Sequence, residues 1–354
     1  MLFFQNKAEE YFKKFPYCLQ FFPLNATLGN SSFTEELYFT EYTRKKMMNM
    51  QMIDLQNRAE LFRGCVTPGV RMNEALLAFY ADCDARVIRA RAASGVQIAF
   101  VTDAVEMEYS IVCGGAARQI FTSDIFINGE STTVDGNGPH KFSMVPGEKK
   151  IIIHLPHLVV IEKITLAVNE SAQVKVCPGK KKKLLFCGDS IMQGMTCTTP
   201  SKAVGALLAE KLDMELHNTS VGGADMRFEP VAETIAIGGD VLAVCFGIND
   251  CFHNTPPELF RERCVKVLEL MKNFSGKSFI VVPIPNMKVD SALYESFCQI
   301  IRDEHRNFPE VLLIESSKFY PRREELFVDG THPNNEGMKI YAEGLYEAVK
   351  EVLN

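Results

Sequence analysis

Five residues in four short segments of this sequence have side chains or backbone groups that could together carry out acyl transfer. They are Ser190, Gly223, Asn249, Asp329 and His332. A serine hydroxyl becomes a nucleophile when a base takes its proton, and His332 is the candidate base. Asp329 would hold the imidazole in the right tautomer. The backbone N–H groups of Ser190 and Gly223 and the amide of Asn249 would stabilise the oxyanion.

Each of these segments also has a purely structural interpretation. Gly188-Asp189-Ser190 and Gly222-Gly223 are typical of tight turns. Asn249 is a suitable helix cap, and an Asp-x-x-His pair arises by chance in many chains of this length. The order of the segments and their position after apolar runs are much harder to obtain by accident, and these two features favour a catalytic site.

The elements that must position these residues alternate between apolar runs and helical patterns from residue 183 onwards. The runs predict strands over 184–188, 214–221, 240–247, 278–285 and 311–319. The helical patterns cover 201–212, 256–274, 290–308 and 334–354. Nearly continuous apolar strands joined by helices predict a parallel sheet in a three-layer α/β/α domain of the flavodoxin-like type. Active sites in such sheets lie beyond the carboxyl ends of the strands, where the four segments fall.

The first half of the chain has a different pattern, with many short strands separated by Gly, Pro and Asn. This pattern predicts an antiparallel, jelly-roll-like β-sandwich. Residues 88–112 are interpreted as strands interrupted at Gly95 and Asp103, and residues 48–56 are favoured as a strand. The predicted organisation is an N-terminal sandwich domain over 1–178, least defined over 1–70, then a linker over 179–183 and a hydrolase domain over 184–354.

Composition excludes several classes of protein. The 354 residues carry a net charge of −6, which offers no general attraction for nucleic acid or an anionic membrane, and no apolar run is long enough to span a bilayer. The 11 cysteines form no Cys-x-x-Cys pair and the histidines show no metal-ligand spacing, so no metal site is expected. Residues 1–15 lack the pattern of a signal peptide, and together with free thiols this predicts a cytoplasmic protein.

The segments GDSIMQG, NTSVGG, GIND and DGTHPNNEG resemble, in the same order, the four sequence blocks of the SGNH, or GDSL-type, esterase and lipase superfamily. The resemblance implies that Ser190 is the nucleophile and that Asp329 and His332 complete a triad. It also implies that Gly223 and Asn249 are oxyanion donors, with Gly222 as a rival to Gly223. The fold it implies is the flavodoxin-like one, working without metal or cofactor.

A β-sandwich before such a domain is similar to two-domain carbohydrate esterases that remove acetyl groups from plant polysaccharides, and to some acyltransferases of natural-product pathways. The prediction is therefore a serine ester hydrolase that deacetylates sugars or oligosaccharides. The alternatives are an acyltransferase with the same residues, a short-chain lipase, and a non-catalytic sugar-binding protein. Asp250 and His253 are expected at the pocket mouth, although His253 also fits a surface loop, and the sandwich is expected to form one wall of the cleft.

Overall fold

A computed structural model describes residues 50–353, which form two antiparallel sheets followed by a parallel sheet covered by helices. Residues 51–353 belong to one compact unit. The predictions made for residues 1–49, including the absence of a signal peptide, lie outside the described residues. In the part of the chain that is described, no helix combines the length and apolar composition needed to cross a membrane.

The antiparallel sheets are built from strands whose side chains alternate between buried and exposed positions. Residues Glu106–Ala116 show this clearly, with every second side chain buried along the first half of the strand. One sheet has the order β1-β9-β4-β7, and the other has β10-β3-β8-β5-β6 with β2 beside β3. Their strands are β1 (Met50–Met52), β2 (Phe62–Arg63), β3 (Gln97–Thr102), β4 (Glu106–Ala116), β5 (Ser123–Ile127), β6 (Glu130–Val134), β7 (His140–Ser143), β8 (Lys149–His154), β9 (Val159–Asn169) and β10 (Val174–Val176).

The third sheet is parallel and has the order β12-β11-β13-β14-β15. Its strands are β11 (Lys182–Gly188), β12 (Met214–Asn218), β13 (Val241–Cys245), β14 (Lys277–Val282) and β15 (Leu312–Glu315). This order is that of the flavodoxin-like fold, so the prediction of a three-layer α/β/α domain is confirmed. The strand β13 is buried along its whole length, as expected when helices cover both faces of a sheet.

Helices cover the two faces of the parallel sheet and enclose separate apolar cores. The helices are α1 (Glu74–Phe79), α2 (Asp84–Arg91), α3 (Ser190–Gln193), α4 (Val204–Lys211), α5 (Phe228–Ile237), α6 (Ile248–Phe252), α7 (Pro257–Lys272), α8 (Ser291–His305) and α9 (Asn335–Leu353). On one face, α5, α7 and α8 contribute to a core that includes Phe260 and Phe297. On the other face, α4 and α9 contribute to a core that includes Leu208 and Tyr341.

Four features differ from the sequence interpretation. Residues 88–91 end helix α2 rather than begin a strand, and β3 starts only at Gln97. Helix α5 was not predicted. The segment from Met72 to Ala90 belongs to the N-terminal half of the chain, yet its buried side chains complete a core of the parallel sheet. The strand β11 begins at Lys182, inside the segment 179–183 that was interpreted as a linker.

Candidate active site

Ser190 follows β11 directly and is the first residue of α3. The strand must pass very close to β13 at this point, since a Cβ on Gly188 would lie 2.5 Å from the carbonyl oxygen of Cys245. Asp189 then fixes the turn, because its Oδ1 accepts a hydrogen bond of 2.9 Å from the N–H of Ile191. As a result, the Ser190 side chain is held at the carboxyl end of β11 with 7% of the residue exposed.

Ser190, His332 and Asp329 form a continuous hydrogen-bonded chain. The Nε2 of His332 lies 2.8 Å from the Oγ of Ser190, and its Nδ1 lies 2.8 Å from the Oδ2 of Asp329. A carboxylate can only accept, so Nδ1 carries the proton and donates to Asp329. The Nε2 of the neutral ring is then free to accept the hydroxyl proton of Ser190. This is the arrangement that a general base needs to activate a serine.

The loop that holds Asp329 and His332 is fixed by the Asp329 side chain itself. Its Oδ1 accepts hydrogen bonds from the backbone N–H groups of Thr331, at 3.0 Å, and His332, at 2.8 Å. Burial of Asp329 opposes its ionisation, but the hydrogen bonds from His332 and Thr331 outweigh this effect and hold the pKa of Asp329 below its ordinary value. The carboxylate is therefore ionised at neutral pH and can stabilise a protonated imidazole.

The backbone N–H groups of Gly222 and Gly223, the two glycines after β12, differ in whether they have a hydrogen-bond acceptor within residues 50–353. The N–H of Gly222 donates to the Oε1 of Gln193 at 2.8 Å. Gly223 has a positive φ of 80°, and its N–H has no acceptor among residues 50–353. A Cβ on Gly222 would lie 3.4 Å from the Cβ of Ser190, so this loop lies against the nucleophile. The N–H available to an oxyanion is therefore that of Gly223, the glycine favoured from the sequence over its rival.

Asn249 lies on α6, just past the end of β13. Its Nδ2 donates a hydrogen bond of 3.0 Å to the carbonyl oxygen of Ala224, the residue after Gly223. This bond uses one of the two amide protons and places the amide beside the Gly223 loop. The second amide proton is left to donate to a substrate oxygen.

Gln193 is a site residue that the sequence interpretation missed. It is completely buried, and besides accepting from Gly222 it donates from Nε2 to the carbonyl oxygen of Arg89, at 2.8 Å, and to the Oγ of Ser94, at 3.1 Å. One side chain therefore joins α3, the Gly222 loop and the chain before β3. The only sequence signal for a role of Gln193 in the site was its position three residues after Ser190, because a helix brings residues with this spacing to the same face.

Asp250 and His253, both expected at the pocket mouth, occupy different environments. Asp250 is not at the mouth but completely buried, and it accepts hydrogen bonds from the N–H of Met226 at 2.8 Å and from the guanidinium of Arg263 at 3.2 Å. It thereby anchors the loop that contains Gly223. His253 is exposed, and its Nδ1 lies 2.6 Å from the Oδ1 of Asp225.

A cavity of about 190 Å³ lies beside this loop. Ala224, Asp225 and Arg227 line one side, and residues of the α1–α2 region line the other. Since Ala224 follows Gly223 directly, the N-terminal half of the chain borders the site. The α1–α2 residues lining the cavity are Phe79, Tyr80, Asp82 and Arg86.

The N-terminal sheets also contact the catalytic loops directly. The Oγ1 of Thr122 donates to the carbonyl oxygen of Thr198 at 2.8 Å. The N–H of Thr198 in turn donates to the Oδ1 of Asn335 at 3.0 Å, three residues after His332. On another side, the Nε2 of His157 lies 3.0 Å from the carbonyl oxygen of Gly194. The N-terminal half of the chain therefore contacts the segment after α3 at two points, Gly194 and Thr198.

Over residues 50–353, no three His, Cys, Asp or Glu side chains are grouped so that they could hold a metal ion.

Asp189 gives the site a pH-dependent contribution to stability. The residue is 2% exposed, and burial raises the pKa of its carboxyl to about 7. An unfolded chain loses the same proton near pH 4. The folded state therefore binds more protons between these values, so the contribution is fully present below about pH 4 and is lost as the pH rises through about 7.

We expect Asp189→Asn to remove this dependence, because an amide stays neutral and its oxygen can still accept from Ile191. Relative to the unchanged protein, the free energy of unfolding of the variant should rise by about 2 to 4 kcal/mol between pH 4 and pH 8. Urea denaturation across this range measures it, with Asp135→Asn at an exposed position as the control. A difference that is the same at every pH would contradict the expectation.

Comparison with known proteins identifies the family that the sequence around this site matches. The sequence model of the GDSL-like lipase/acylhydrolase family matches residues 186–340, a range that contains all five of the predicted catalytic and oxyanion residues. No curated protein sequence matches that of this chain.

Several solved structures have the same fold over both parts of the chain. A salicylyl-acyltransferase, SsfX3, from a tetracycline biosynthetic pathway is 18% identical with a TM-score of 0.73, covering 86% of this chain and 98% of its own. A protein from Bacteroides ovatus assigned as a GDSL-like lipase is 17% identical with the same TM-score and coverage. A family two carbohydrate esterase from Clostridium thermocellum, solved with cellohexaose, is 16% identical with a TM-score of 0.52, covering 73% of this chain and 93% of its own.

At these identities the structural similarity establishes a shared fold, and the family itself follows from the sequence match. The matched range begins inside β11 and ends inside α9, so it spans the parallel sheet and the loops at its carboxyl edge. Residues 186–340 therefore form a domain of the GDSL-like lipase/acylhydrolase family, and the chain is a carboxylic ester hydrolase of that class.

Proposed function

We propose that the enzyme removes acetyl groups from acetylated sugars or oligosaccharides through an acyl-enzyme on Ser190. The observation that carries the proposal is the hydrogen-bonded chain from Ser190 through His332 to Asp329, with 2.8 Å at each step. All three groups have the separation and the hydrogen-bonding capacity that activation of a serine requires.

The proposed reaction follows from these contacts. The Oγ of Ser190 attacks the ester carbonyl while its proton passes to the Nε2 of His332, and Asp329 stabilises the imidazolium. The N–H groups of Ser190 and Gly223 and the amide of Asn249 hold the negative oxygen of the tetrahedral intermediate. The C–O bond to the alcohol then breaks, and the alcohol leaves with the proton of His332. Water repeats the sequence on the acyl-enzyme, which releases the acid and restores Ser190.

One feature supports a short acyl group. The helix that begins at Ser190 and the helix that follows β13 are both short, with four residues in α3 and five in α6. Neither supplies an apolar lid of the kind a long-chain lipase would need.

A panel of substrates tests the proposal. We expect the purified protein to hydrolyse 4-nitrophenyl acetate in water with kcat/KM at least about tenfold above that for the octanoate ester, since neither α3 nor α6 supplies an apolar surface to cover a longer chain. It should also release acetate from acetylated oligosaccharides, measured by an enzyme-coupled assay. Equal rates for acetyl and octanoyl esters, or no release of acetate from any acetylated sugar, would contradict it.

An acyltransferase that uses the same residues is the second candidate. The similarity to the salicylyl-acyltransferase over 86% of this chain supports it, because the match includes the sandwich as well as the catalytic sheet. The two functions differ in whether water or a second alcohol attacks the acyl-enzyme. Measuring the ratio of transfer to hydrolysis with added sugar alcohols separates them.

We also propose that the enzyme works in the cytoplasm. Ten cysteines between residues 50 and 353 have free thiols, which is typical of a reducing compartment. Fractionation of cells that produce the full chain tests this, and recovery outside the cytoplasmic fraction would contradict it.

A further inference from the structure

Arg89 lies beside the nucleophile, although it comes from the N-terminal half of the chain. Its Nη1 donates a hydrogen bond of 2.9 Å to the carbonyl oxygen of Gly222. A Cβ on Gly222 would lie 3.2 Å from the Cδ of Arg89 and 3.4 Å from the Cβ of Ser190. The side chain of Arg89 is therefore separated from Ser190 by little more than the width of one small residue.

The guanidinium of Arg89 has a hydrogen-bond donor without an acceptor among residues 50–353. Its Nε is buried and has no acceptor among residues 50–353, and no carboxylate in that range lies within ion-pair distance. Burial, and after it the nearby charge of Arg118, lowers the pKa of Arg89. A half-buried cation with an unused donor is costly unless an anion approaches it.

Two more arginines in the same region have no ion-pair partner within the described chain. Arg118 follows β4, and its side chain only donates to the carbonyl oxygen of Ala117, at 3.2 Å. Arg227 lines the cavity beside Gly223 at an exposed position, and its side chain makes no hydrogen bond to any described residue. The region is therefore positive, in contrast to the net charge of −6 of the whole chain.

Three acidic groups of this region are already paired. Asp82 binds Arg86 at 2.5 Å, Asp225 binds His253 at 2.6 Å, and Asp329 binds His332 at 2.8 Å. None of them neutralises the three unpaired arginines.

We propose that the ester substrate carries a carboxylate, which Arg89 and Arg118 bind beside the reacting carbonyl. The proposal rests on the proposed function, since it names the substrate class of the same site. Arginine presents a planar set of donors that matches a carboxylate, and such charge-assisted hydrogen bonds are stronger than neutral ones. The carboxylate can belong to the acyl group or to the alcohol, and the experiment separates these two sources.

Matched pairs of esters test the proposal. For a charge on the alcohol, 4-acetoxybenzoate is compared with 4-acetoxybenzamide. For a charge on the acyl group, the 4-nitrophenyl monoester of glutaric acid is compared with 4-nitrophenyl pentanoate, after subtraction of the uncatalysed rate. We expect kcat/KM to favour the charged member of one pair by at least about tenfold and to lose this preference as salt is raised.

Arg89→Gln and Arg118→Gln should each reduce the ratio of charged to neutral kcat/KM by about tenfold. Using the ratio separates charge recognition from any general loss of activity when the Gly222 loop shifts. Arg91→Gln, at an exposed position on the same helix as Arg89, is the control and should keep the original ratio. No preference in either pair, or a preference that both variants retain, would overturn the proposal.

A binding measurement keeps the inference separate from the proposed function. In Ser190→Ala protein, calorimetry compares the affinities for the charged and the neutral ester of each matched pair without turnover on Ser190. Tighter binding of the charged ester in either pair supports the proposal even if hydrolysis fails, and equal affinities in both pairs overturn it. Hydrolysis of neutral acetates by the unchanged protein tests the proposed function independently.

Discussion

Replacing Ser190 by Ala should lower kcat for 4-nitrophenyl acetate by roughly 10⁴- to 10⁶-fold, the range found when a triad serine is removed. The variant loses the nucleophile and with it the acyl-enzyme. Its fold should be unchanged, since the only hydrogen bond that the Oγ makes within residues 50–353 is the one to His332. Steady-state kinetics measures the loss, and circular dichroism with thermal unfolding checks the fold.

Replacing His332, the hydrogen-bond partner of Ser190, tests the same mechanism in a second way. His332→Ala should be almost as damaging as Ser190→Ala, and the double variant should be no slower than the worse single one, because the two side chains act as a unit. Ser296→Ala, an exposed serine on α8, is the control and should keep full activity. Either catalytic variant retaining more than about a tenth of the activity would remove that residue from the mechanism.

Asn249→Ala should lower kcat by roughly 10²- to 10³-fold with little change in KM, as expected when one donor to an oxyanion is lost. The amide interacts with the negative oxygen only after attack, so its loss affects the transition state more than substrate binding. Steady-state kinetics on acetyl esters separates kcat from KM.

The hydrogen bond from Asn249 to Ala224 calls for a further check, because its loss could move the Gly223 loop. An unchanged midpoint of thermal unfolding would show that the structure is retained, and Asn307→Ala at an exposed position is the control. A decrease in kcat of less than about threefold, or an effect on KM alone, would assign Asn249 to substrate binding instead.

The catalytic sheet was predictable because short stretches of sequence are enough to identify its strands. Each strand is a short apolar run, and the carboxyl ends of parallel strands share one edge, so residues after different strands are brought together without any knowledge of distant contacts. Helix α5 was missed because it contains Pro230, which usually ends a helix. In the structure Pro230 is the third residue of the helix, where a missing N–H disrupts no helical hydrogen bond.

The parts that were not predictable depend on contacts between distant segments. Nothing in the local pattern around Arg89 indicates that it lies against Gly222, 133 residues further on. Gly222 remained a rival to the favoured Gly223 for the same reason, since the distinction depends on which N–H Gln193 binds. The location of α1 and α2 on the catalytic sheet is likewise a tertiary effect that periodicity does not record.

The segment from Arg71 to Tyr80 packs in a core formed by strands that lie much later in the chain, and this affects how the protein can fold during synthesis. The buried guanidinium of Arg71 donates to the carbonyl oxygen of Asn218, 147 residues later, and Met72, Leu76 and Tyr80 share a core with strands that emerge later still. At about 5–20 residues per second, a ribosome needs roughly 7 to 30 s to deliver Asn218 after Arg71. During that interval the parallel sheet that buries the apolar side chains of this segment has not yet been synthesised. We therefore expect a high yield of folded enzyme to require chaperones that bind the segment.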